Sequence, residues 1–176
     1  MLGYKDARYL SNPHKGNSQT GYVFNCNGIA ISWRSVKQTM VVTSSNHLEI
    51  PTIHETSHEY IWLRSMIQHI WESCGLSSIK GDLTILFEDN VACITQITGV
   101  YIKRDITKHI SPKFFYTHEL QKNDEIDVQQ IRSSDNLADL LTKSLSTSAF
   151  KKLIHRIGMR QLKDIDTRES MLVKGC

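Results

Sequence analysis

Four acidic side chains lie at the ends of apolar runs, where a strand or a helix would be half buried. They are Asp6, Glu49, Asp89 and Asp139. An ionised carboxylate is costly to bury without a partner, so each acid needs a compensating charge. If the fold brings the four together, their mutual repulsion demands divalent cations. Because the set offers only hard oxygen donors, it favours Mg²⁺ or Mn²⁺ over zinc.

Two such cations about 4 Å apart would clamp the attacking and leaving oxygens of a phosphodiester. The four acids therefore indicate metal-dependent hydrolysis. Each also has an ordinary structural interpretation. Asp89 could cap the helix that follows it, Glu49 and Asp139 could be first-turn acids favoured by the helix dipole, and Asp6 could be a polar residue of an edge strand.

Composition is that of a single globular domain. The chain has 176 residues, of which 40% are hydrophobic, enough for a proper core without staples. Its four cysteines lack C-x-x-C spacing and no signal peptide precedes them. We therefore expect reduced thiols, two or three of them in the core, in an intracellular protein that is not secreted. We also expect a monomer. No apolar run reaches the roughly 20 residues that span a bilayer.

The apolar pattern predicts an α/β fold with a mixed sheet covered by helices. Asn27-Gly28 between two apolar runs is a strong hairpin signal, and a stripe of apolar residues from Ile50 to Cys74 predicts a long helix buried along one face. The predicted elements are a loop at 10–20, strands at 21–26 and 29–35, a short strand at 40–43, a helix from Ser44 or Ser45 to Cys74, a strand at 83–87, helices at 91–97 and 111–122, a strand at 126–131, a helix at 137–143 capped by Asp135-Asn136, and a last helix at 147–159.

Several short segments also occur in a characteristic order. They are Gly21-Tyr22-Val23-Phe24, Ala30-Ile31-Ser32-Trp33, Trp62-Leu63-Arg64, Glu88-Asp89-Asn90, Thr107-Lys108-His109-Ile110, Asn136-Leu137-Ala138-Asp139 and Thr142-Lys143. In this order and spacing, from Met1 to about Met159, the chain resembles the ribonuclease H domain at the end of the Pol polyprotein of Ty/copia-type retrotransposons, particularly those of plants.

The resemblance implies a ribonuclease H-like fold with a mixed five-stranded sheet, whose first three strands are antiparallel and whose later strands are parallel. We expect a domain at 1–145 and a C-terminal helix at 146–159 packed on or beside it. The polar tail at 160–176 is expected to be mostly disordered. The implied activity is cleavage of the RNA strand of an RNA/DNA hybrid supplied by the reverse transcriptase portion of the polyprotein. Two Mg²⁺ or Mn²⁺ ions would be bound, with Asp6 bridging both, Asp89 and Glu49 completing one shell, and Asp139 the other.

A basic segment follows the third acid. Lys103, Arg104, Lys108 and Lys113 lie close together, interleaved with aromatic and polar residues that include His109. This segment could be a solvated helix face, or it could grip the phosphates of a nucleic acid, with Asn90 contributing from the strand end. His109 and His118 could suggest proton shuttles, but packing or phosphate contact suits their helical setting better.

A rival motif lies inside the long helix. His54-Glu55-Thr56-Ser57-His58 fits H-E-x-x-H, in which two histidines one turn apart hold zinc and the glutamate acts as a base. It predicts a zinc metalloprotease only if a third ligand exists. We expect both histidines to be solvated.

A third possibility is a catalytically inactive nucleic-acid-binding relic of a retroelement. Met1 lies only a few residues before Asp6, so we expect the polymerase and integrase to be absent. Arg8 stands where the resembled domains often keep a second acid, and Arg132-Ser133-Ser134-Asp135 lacks the histidine that cellular relatives carry there. Pro51, two residues after Glu49, would cost about 3 kcal/mol inside a helix, but it would be harmless in the first turn of a helix that begins late.

Overall fold

The computed structural model describes residues 1–12, 17–38, 45–76, 84–99 and 111–160. Its strands are β1 (Leu2–Asn12), β2 (Asn17–Cys26), β3 (Ile29–Gln38), β4 (Thr84–Glu88) and β5 (Ile126–Gln130). Its helices are α1 (Ser45–Ser73), α2 (Val91–Thr98), α3 (Ser111–Lys122), α4 (Asp139–Thr142) and α5 (Thr147–Arg156), with a 3₁₀ turn at Ser133–Asp135.

The five strands form one sheet in the order β3-β2-β1-β4-β5. β1, β2 and β3 pair antiparallel, whereas β1, β4 and β5 run parallel. The predicted mixed five-stranded sheet is therefore confirmed. β1 is the central strand. Its neighbour β4 ends at Glu88, directly before Asp89.

Helices cover both faces of the sheet. On one face, α1, α2 and α3 bury the main core, which includes Phe24, Ile53, Leu86 and Phe114. On the other face, Tyr4 of β1 packs with Leu137, Ala138 and Leu153 from the α4–α5 region. Because successive residues of a strand point to opposite faces, β1 sends side chains alternately into the two layers.

Local chemistry explains the main turns. Asn27 and Gly28 both have positive φ angles, +50° and +82°, as the type I′ turn between twisted hairpin strands requires. α1 ends at Ser73 and Gly75 follows with φ +69°, the left-handed conformation in which helices commonly stop. The predicted hairpin and long helix are both confirmed.

Some local predictions were wrong. Residues 10–12 and 17–20 are not loop but strand, because β1 and β2 continue as a paired ribbon in which Arg8 lies opposite Gln19 and Asn12 opposite Asn17. The apolar stripe of α1 is buried only as far as Leu63, and Ile70 and Cys74 are exposed. The turns of α1 after Leu63 therefore contain no buried residue.

The cysteines also differ in part from expectation. Cys26, Cys74 and Cys93 are free thiols, as predicted, but only Cys93 is buried. The segments at 40–43, 103–109 and 161–176, on which a strand, a basic surface and most of the disordered tail were predicted, lie outside the described residues. Among the described helices, none is long and apolar enough to cross a membrane.

Candidate metal centre

Three of the four predicted acids meet at one edge of the sheet. Asp6 of β1, Asp89 after β4 and Asp139 at the start of α4 each place a carboxylate oxygen within 4.8 Å of the other two. Asp6 and Asp139 are buried, and Asp89 is half buried. Their segments are separated by dozens of residues along the chain, so only the strand order brings these oxygens together.

Asp139 is held in place by its neighbour Asn136. Fully buried, Asn136 donates through Nδ2 to the carbonyl oxygen of Lys5 (2.8 Å) and accepts through Oδ1 from the amide of Ala138 (3.1 Å). Asp135-Asn136 was predicted to cap the following helix, and this was wrong because α4 begins only at Asp139. The asparagine instead ties the entry of α4 to the central strand beside Asp6.

Asp89 is not a helix cap. The residue that caps α2 is Asn90, whose Oδ1 accepts from the amide of Cys93 at 3.1 Å. The Asp89 carboxylate accepts instead from the hydroxyl of Ser133 at 2.8 Å. Its alternative role as a cap is therefore excluded, and the oxygen that accepts from Ser133 also lies 3.7 Å from the Lys143 ammonium.

Glu49 lies in a second group on the other face of β1. Its carboxylate, that of Glu88 and that of Asp89 form a set with oxygens within 4.8 Å of one another. Asp89 is thus common to both groups. The first turn of α1 contains no acid, so a dipole role for Glu49 is also excluded. The site brings the four predicted acids into two adjoining groups rather than one.

A lysine ammonium lies in each group. Lys143 Nζ is 2.7 Å from Asp139 Oδ1, 3.0 Å from Asp6 Oδ1 and 3.7 Å from Asp89 Oδ2. Lys5 Nζ is 2.5 Å from Glu49 Oε2 and forms a direct ion pair with Glu88. The two ammonium groups compensate part of the negative charge of five carboxylates.

Burial, together with the neighbouring carboxylates, raises the pKa values of three of these acids. Burial raises the pKa of Glu49 to about 8, against Lys5 and with help from Glu88. Burial likewise raises the pKa of Glu88 and raises that of Asp139 to about 6. Burial disfavours the charged form of Lys5, but Glu49 and Glu88 outweigh it and the pKa of Lys5 is raised.

The donor set fits a hard divalent cation. Carboxylate oxygens are the ligands that Mg²⁺ and Mn²⁺ prefer, and raised carboxyl pKa values mean that these groups would gain from a further positive charge. Thr142, whose hydroxyl donates to Asp6, orients one ligand.

Glu88, Lys5 and Lys143 were not predicted as site residues. A signal for Glu88 existed, because strand periodicity puts it on the same buried face as Leu86 and Thr84. Tyr4 lies beside Phe87 in the parallel pair, so Lys5 and Glu88 are the next residues along neighbouring strands. This register is not readable from local sequence.

Close packing at Gly21 sets how near α4 comes to Asp6. Gly21 lies opposite Asp6 in the β1–β2 pair, and a Cβ there would lie 2.8 Å from Leu141 Cβ and 3.1 Å from the carbonyl oxygen of Arg34. Gly21→Ala should therefore displace α4 and with it Asp139. We expect a loss of about 1–3 kcal/mol in unfolding free energy, measured by urea titration, together with weaker Mn²⁺ binding.

Gly75→Ala is the matched control for this prediction. Gly75 has a positive φ and no atoms near its hypothetical Cβ, so alanine should destabilise the chain through backbone strain alone. Unchanged Mn²⁺ binding in both variants would show that α4 does not depend on Gly21.

The H-E-x-x-H motif does not form a zinc-protease site. His54 Nε2 and His58 Nε2 lie 3.2 Å apart, and the His58 ring stacks on Tyr116. In the part of the chain that the structure describes, no third histidine, cysteine or acid completes a ligand set with them. His54 was also predicted to be solvated, and it is half buried.

The burial of His54 predicts a pH-dependent stability. Burial, His58 and Lys113 lower the pKa of His54 to about 4 from its ordinary 6.5. The neutral ring therefore contributes stability above pH 6.5 that is lost as the pH falls toward 4. When the pH is lowered from 7.5 to 4.5, wild type should lose about 1–2 kcal/mol more unfolding free energy than His54→Gln. This figure allows for solvent screening of the half-buried ring. Urea titrations at both values measure this, with exposed His69→Gln as the control; equal acid sensitivity of wild type and His54→Gln would contradict it.

The predicted nucleic-acid contacts are only partly described. Lys103, Arg104, Lys108 and His109 lie outside the described residues. Lys113 is half buried on α3, near enough to His54 to lower its pKa. Asn90 is committed to its cap through Oδ1. His118 donates through Nδ1 to the carbonyl oxygen of Ile97 at 2.7 Å, and its ring stacks on Phe114, which agrees with a packing role.

Comparison with known proteins gives both sequence relatives and structural neighbours. No protein-family model matches the chain. It is 30% identical over 159 residues to the retrovirus-related Pol polyprotein from transposon TNT 1-94 of Nicotiana tabacum, covering 90% of this chain and 11% of that protein. The chain thus spans about a tenth of the length of this relative.

Two solved structures share the fold. The N-terminal RNase H domain of a Mycobacterium tuberculosis protein superposes with a TM-score of 0.54 at 11% identity, covering 86% of this chain and 94% of that one. LC11-RNase H1 in complex with an RNA/DNA hybrid superposes with a TM-score of 0.53 at 17% identity, covering 87% and 98%. At these identities the likeness establishes the fold.

Proposed function

We propose that this chain, which is a homologue of the retrovirus-related Pol polyproteins of transposons and has the ribonuclease H fold, is an endonuclease that cleaves the RNA strand of RNA/DNA hybrids. The observation that supports this most directly is the meeting of Asp6, Asp89 and Asp139 just past the last paired residues of β1 and β4. The LC11 enzyme, a structural neighbour, was solved with such a hybrid bound.

The proposed cofactor is Mg²⁺ or Mn²⁺. The two carboxylate groups, which share Asp89, would hold two ions between them. Bound there, the ions would lower the pKa of the attacking water and neutralise the charge that develops on the leaving 3′ oxygen. Products with a 5′ phosphate and a 3′ hydroxyl would follow.

The chain's own side chains keep this centre in order. Asn136 fixes the entry of α4, and Thr142 and Ser133 each donate a hydrogen bond to one acid and so orient its oxygens. Preorganised ligands of this kind avoid rearrangement during the reaction. The reverse transcriptase portion of a Pol polyprotein would produce the hybrid. We place the activity inside the cell, in the cytoplasm or the nucleus, and in a monomer.

The test is cleavage of one labelled strand in three duplexes: the RNA strand of RNA/DNA, one strand of RNA/RNA and one strand of DNA/DNA. The purified chain would be incubated with Mg²⁺, Mn²⁺, Zn²⁺ or a chelator. We expect cleavage of the RNA/DNA hybrid only, with Mg²⁺ or Mn²⁺ and not with chelator. Cleavage of RNA/RNA at the same rate, or cleavage that survives the chelator, would contradict the proposal.

A non-catalytic hybrid-binding domain is the second candidate. It is favoured by one observation, the direct pairing of Glu49 with the buried Lys5 ammonium, which occupies a proposed metal ligand. The same assay separates the two functions, because a binding domain would retain the hybrid in a gel shift without cutting it at any cation concentration.

We also propose that the basic segment binds the hybrid through phosphates. Replacing Lys103, Arg104 and Lys108 together by glutamine should weaken binding to every hybrid sequence tested. Each lost phosphate contact should lower the slope of log K against log salt by about 0.9. Fluorescence anisotropy between about 50 and 200 mM salt measures this slope. Lys122→Gln, at the far end of α3, serves as the control. An unchanged slope in the triple variant would show that the three residues form a solvated surface and do not contact phosphates.

A further inference from the structure

Lys143 and Lys5 differ in whether the side-chain ammonium group can move away from the carboxylates that it contacts. Lys143 follows α4 directly, and its side chain is 29% exposed. Lys5 lies in the middle of β1 with a side chain that is 0% exposed, between Glu49 (5%) and Glu88 (0%). A four-carbon stem lets Lys143 swing its ammonium into water, whereas Lys5 has no such exit.

Both ammonium groups occupy oxygens that a metal ion would need. Lys143 Nζ contacts Asp6 and Asp139 and lies 3.7 Å from Asp89. Lys5 Nζ contacts Glu49 and Glu88, and it lies 3.5 Å from the Glu49 carbonyl oxygen as well. Because two cations a few ångströms apart repel strongly in a low-dielectric setting, an ion can bind each group well only if the lysine withdraws.

Withdrawal is possible in one group and blocked in the other. Lys143 can exchange its three acids for water as the ion arrives. Moving Lys5 would require α1 to separate from the sheet, since Glu49 belongs to α1 and Glu88 to β4. An uncompensated ammonium left in that interior would also carry a large desolvation cost.

We propose that Lys5 acts as a built-in cation that sets the two metal sites of this chain apart in affinity. The ion held by Asp6, Asp89 and Asp139 binds tightly, with Lys143 as a displaceable counter-ion. The ion on the Glu49 side binds more weakly, because Lys5 already holds Glu49 and Glu88. This inference rests on the proposed function, and it makes Lys5 a positioning residue that acts through Glu49.

The test is a calorimetric titration of the full chain with Mn²⁺ and with Mg²⁺, in the absence of nucleic acid. Wild type should show one tight site and one weak site. Lys5→Met keeps the side-chain length without the charge, and it should tighten the second site by at least about tenfold while leaving the first nearly unchanged. Lys143→Met should tighten the first site and leave the second as it is.

A second substitution covers the risk that Lys5→Met does not fold. Lys5→Gln keeps a hydrogen-bond donor for Glu49 without the charge, and the same tightening is expected. The control is Lys152→Met, which removes an exposed lysine that pairs with Asp135 and should change neither site. A melting curve of each metal-free variant separates binding effects from stability.

The outcomes separate this inference from the function on which it rests. If Asp6→Asn binds Mn²⁺ as wild type does, the proposed metal centre itself is wrong. If Asp6→Asn loses the tight site but Lys5→Met and Lys5→Gln leave the second site unchanged, the centre stands and the role of Lys5 is overturned. Two equally tight sites in wild type would overturn it as well.

Discussion

Asp89→Asn should abolish cleavage of the hybrid, lowering turnover by at least about 10³-fold. Asp89 is the one acid that belongs to both carboxylate groups, so its replacement weakens every proposed cation position at once. The amide is nearly the same size, and its oxygen can still accept from Ser133. Loss of activity would therefore reflect lost charge and ligation rather than a rearranged strand end.

The same substitution should leave the metal-free chain as stable as wild type or more stable. Removing one of several crowded carboxylates relieves repulsion within the cluster. Melting temperature and single-turnover cleavage, measured on the same preparation, test both parts. Asp127→Asn on neighbouring β5 is the matched control, because Asp127 belongs to neither group. Cleavage that persists in Asp89→Asn would contradict the assignment of these carboxylates as the catalytic metal centre.

Local signals predicted those elements whose causes are local. The Asn27-Gly28 turn needs positive φ at two successive residues, and few other sequences supply it so readily. Asp89 was predicted at a strand end because an apolar run stops there, and β4 does end at Glu88. The four acids could be singled out without the fold because carboxylates are conspicuous beside apolar residues.

What could not be predicted depends on partners far away in sequence. Residues 10–12 and 17–20, all polar except Leu10, look like a loop, but backbone pairing between β1 and β2 holds them as strand. Asn136 was expected to cap a helix, but its side chain bonds the Lys5 carbonyl 131 residues away. The ion pair of Lys5 with Glu88 likewise exists only through strand register.

The division of the acids into two groups has the same origin. Lys5 and Asp6 are consecutive on β1, so they must point to opposite faces of the sheet. Asp6 therefore meets Asp139 at the start of α4, and Lys5 meets Glu49 of α1. A sequence pattern shows that both residues are present, but only the order of the strands shows which acid each one meets.

Pro51 lies close enough to Glu49 along α1 to affect the position of its carboxylate. α1 begins at Ser45, so Pro51 lies inside the helix, buried, two residues after Glu49. A proline there has no amide hydrogen to donate to the carbonyl oxygen of the preceding turn, and its ring crowds that turn. Glu49 belongs to the turn that must adjust.

Pro51→Ile should therefore stabilise the chain by at least about 1 kcal/mol. Because a ligand shifted by about 1 Å can cost on the order of 10²-fold in rate, we expect Mn²⁺ affinity and cleavage to rise together with stability. Isoleucine also adds volume at a buried position, which can offset the gain. Pro51→Ala restores the amide without that volume, so comparing the two variants by urea titration separates backbone from packing effects. If neither variant gains stability, metal affinity or cleavage, the helix accommodates its proline, and the weak second site must be ascribed to Lys5 alone.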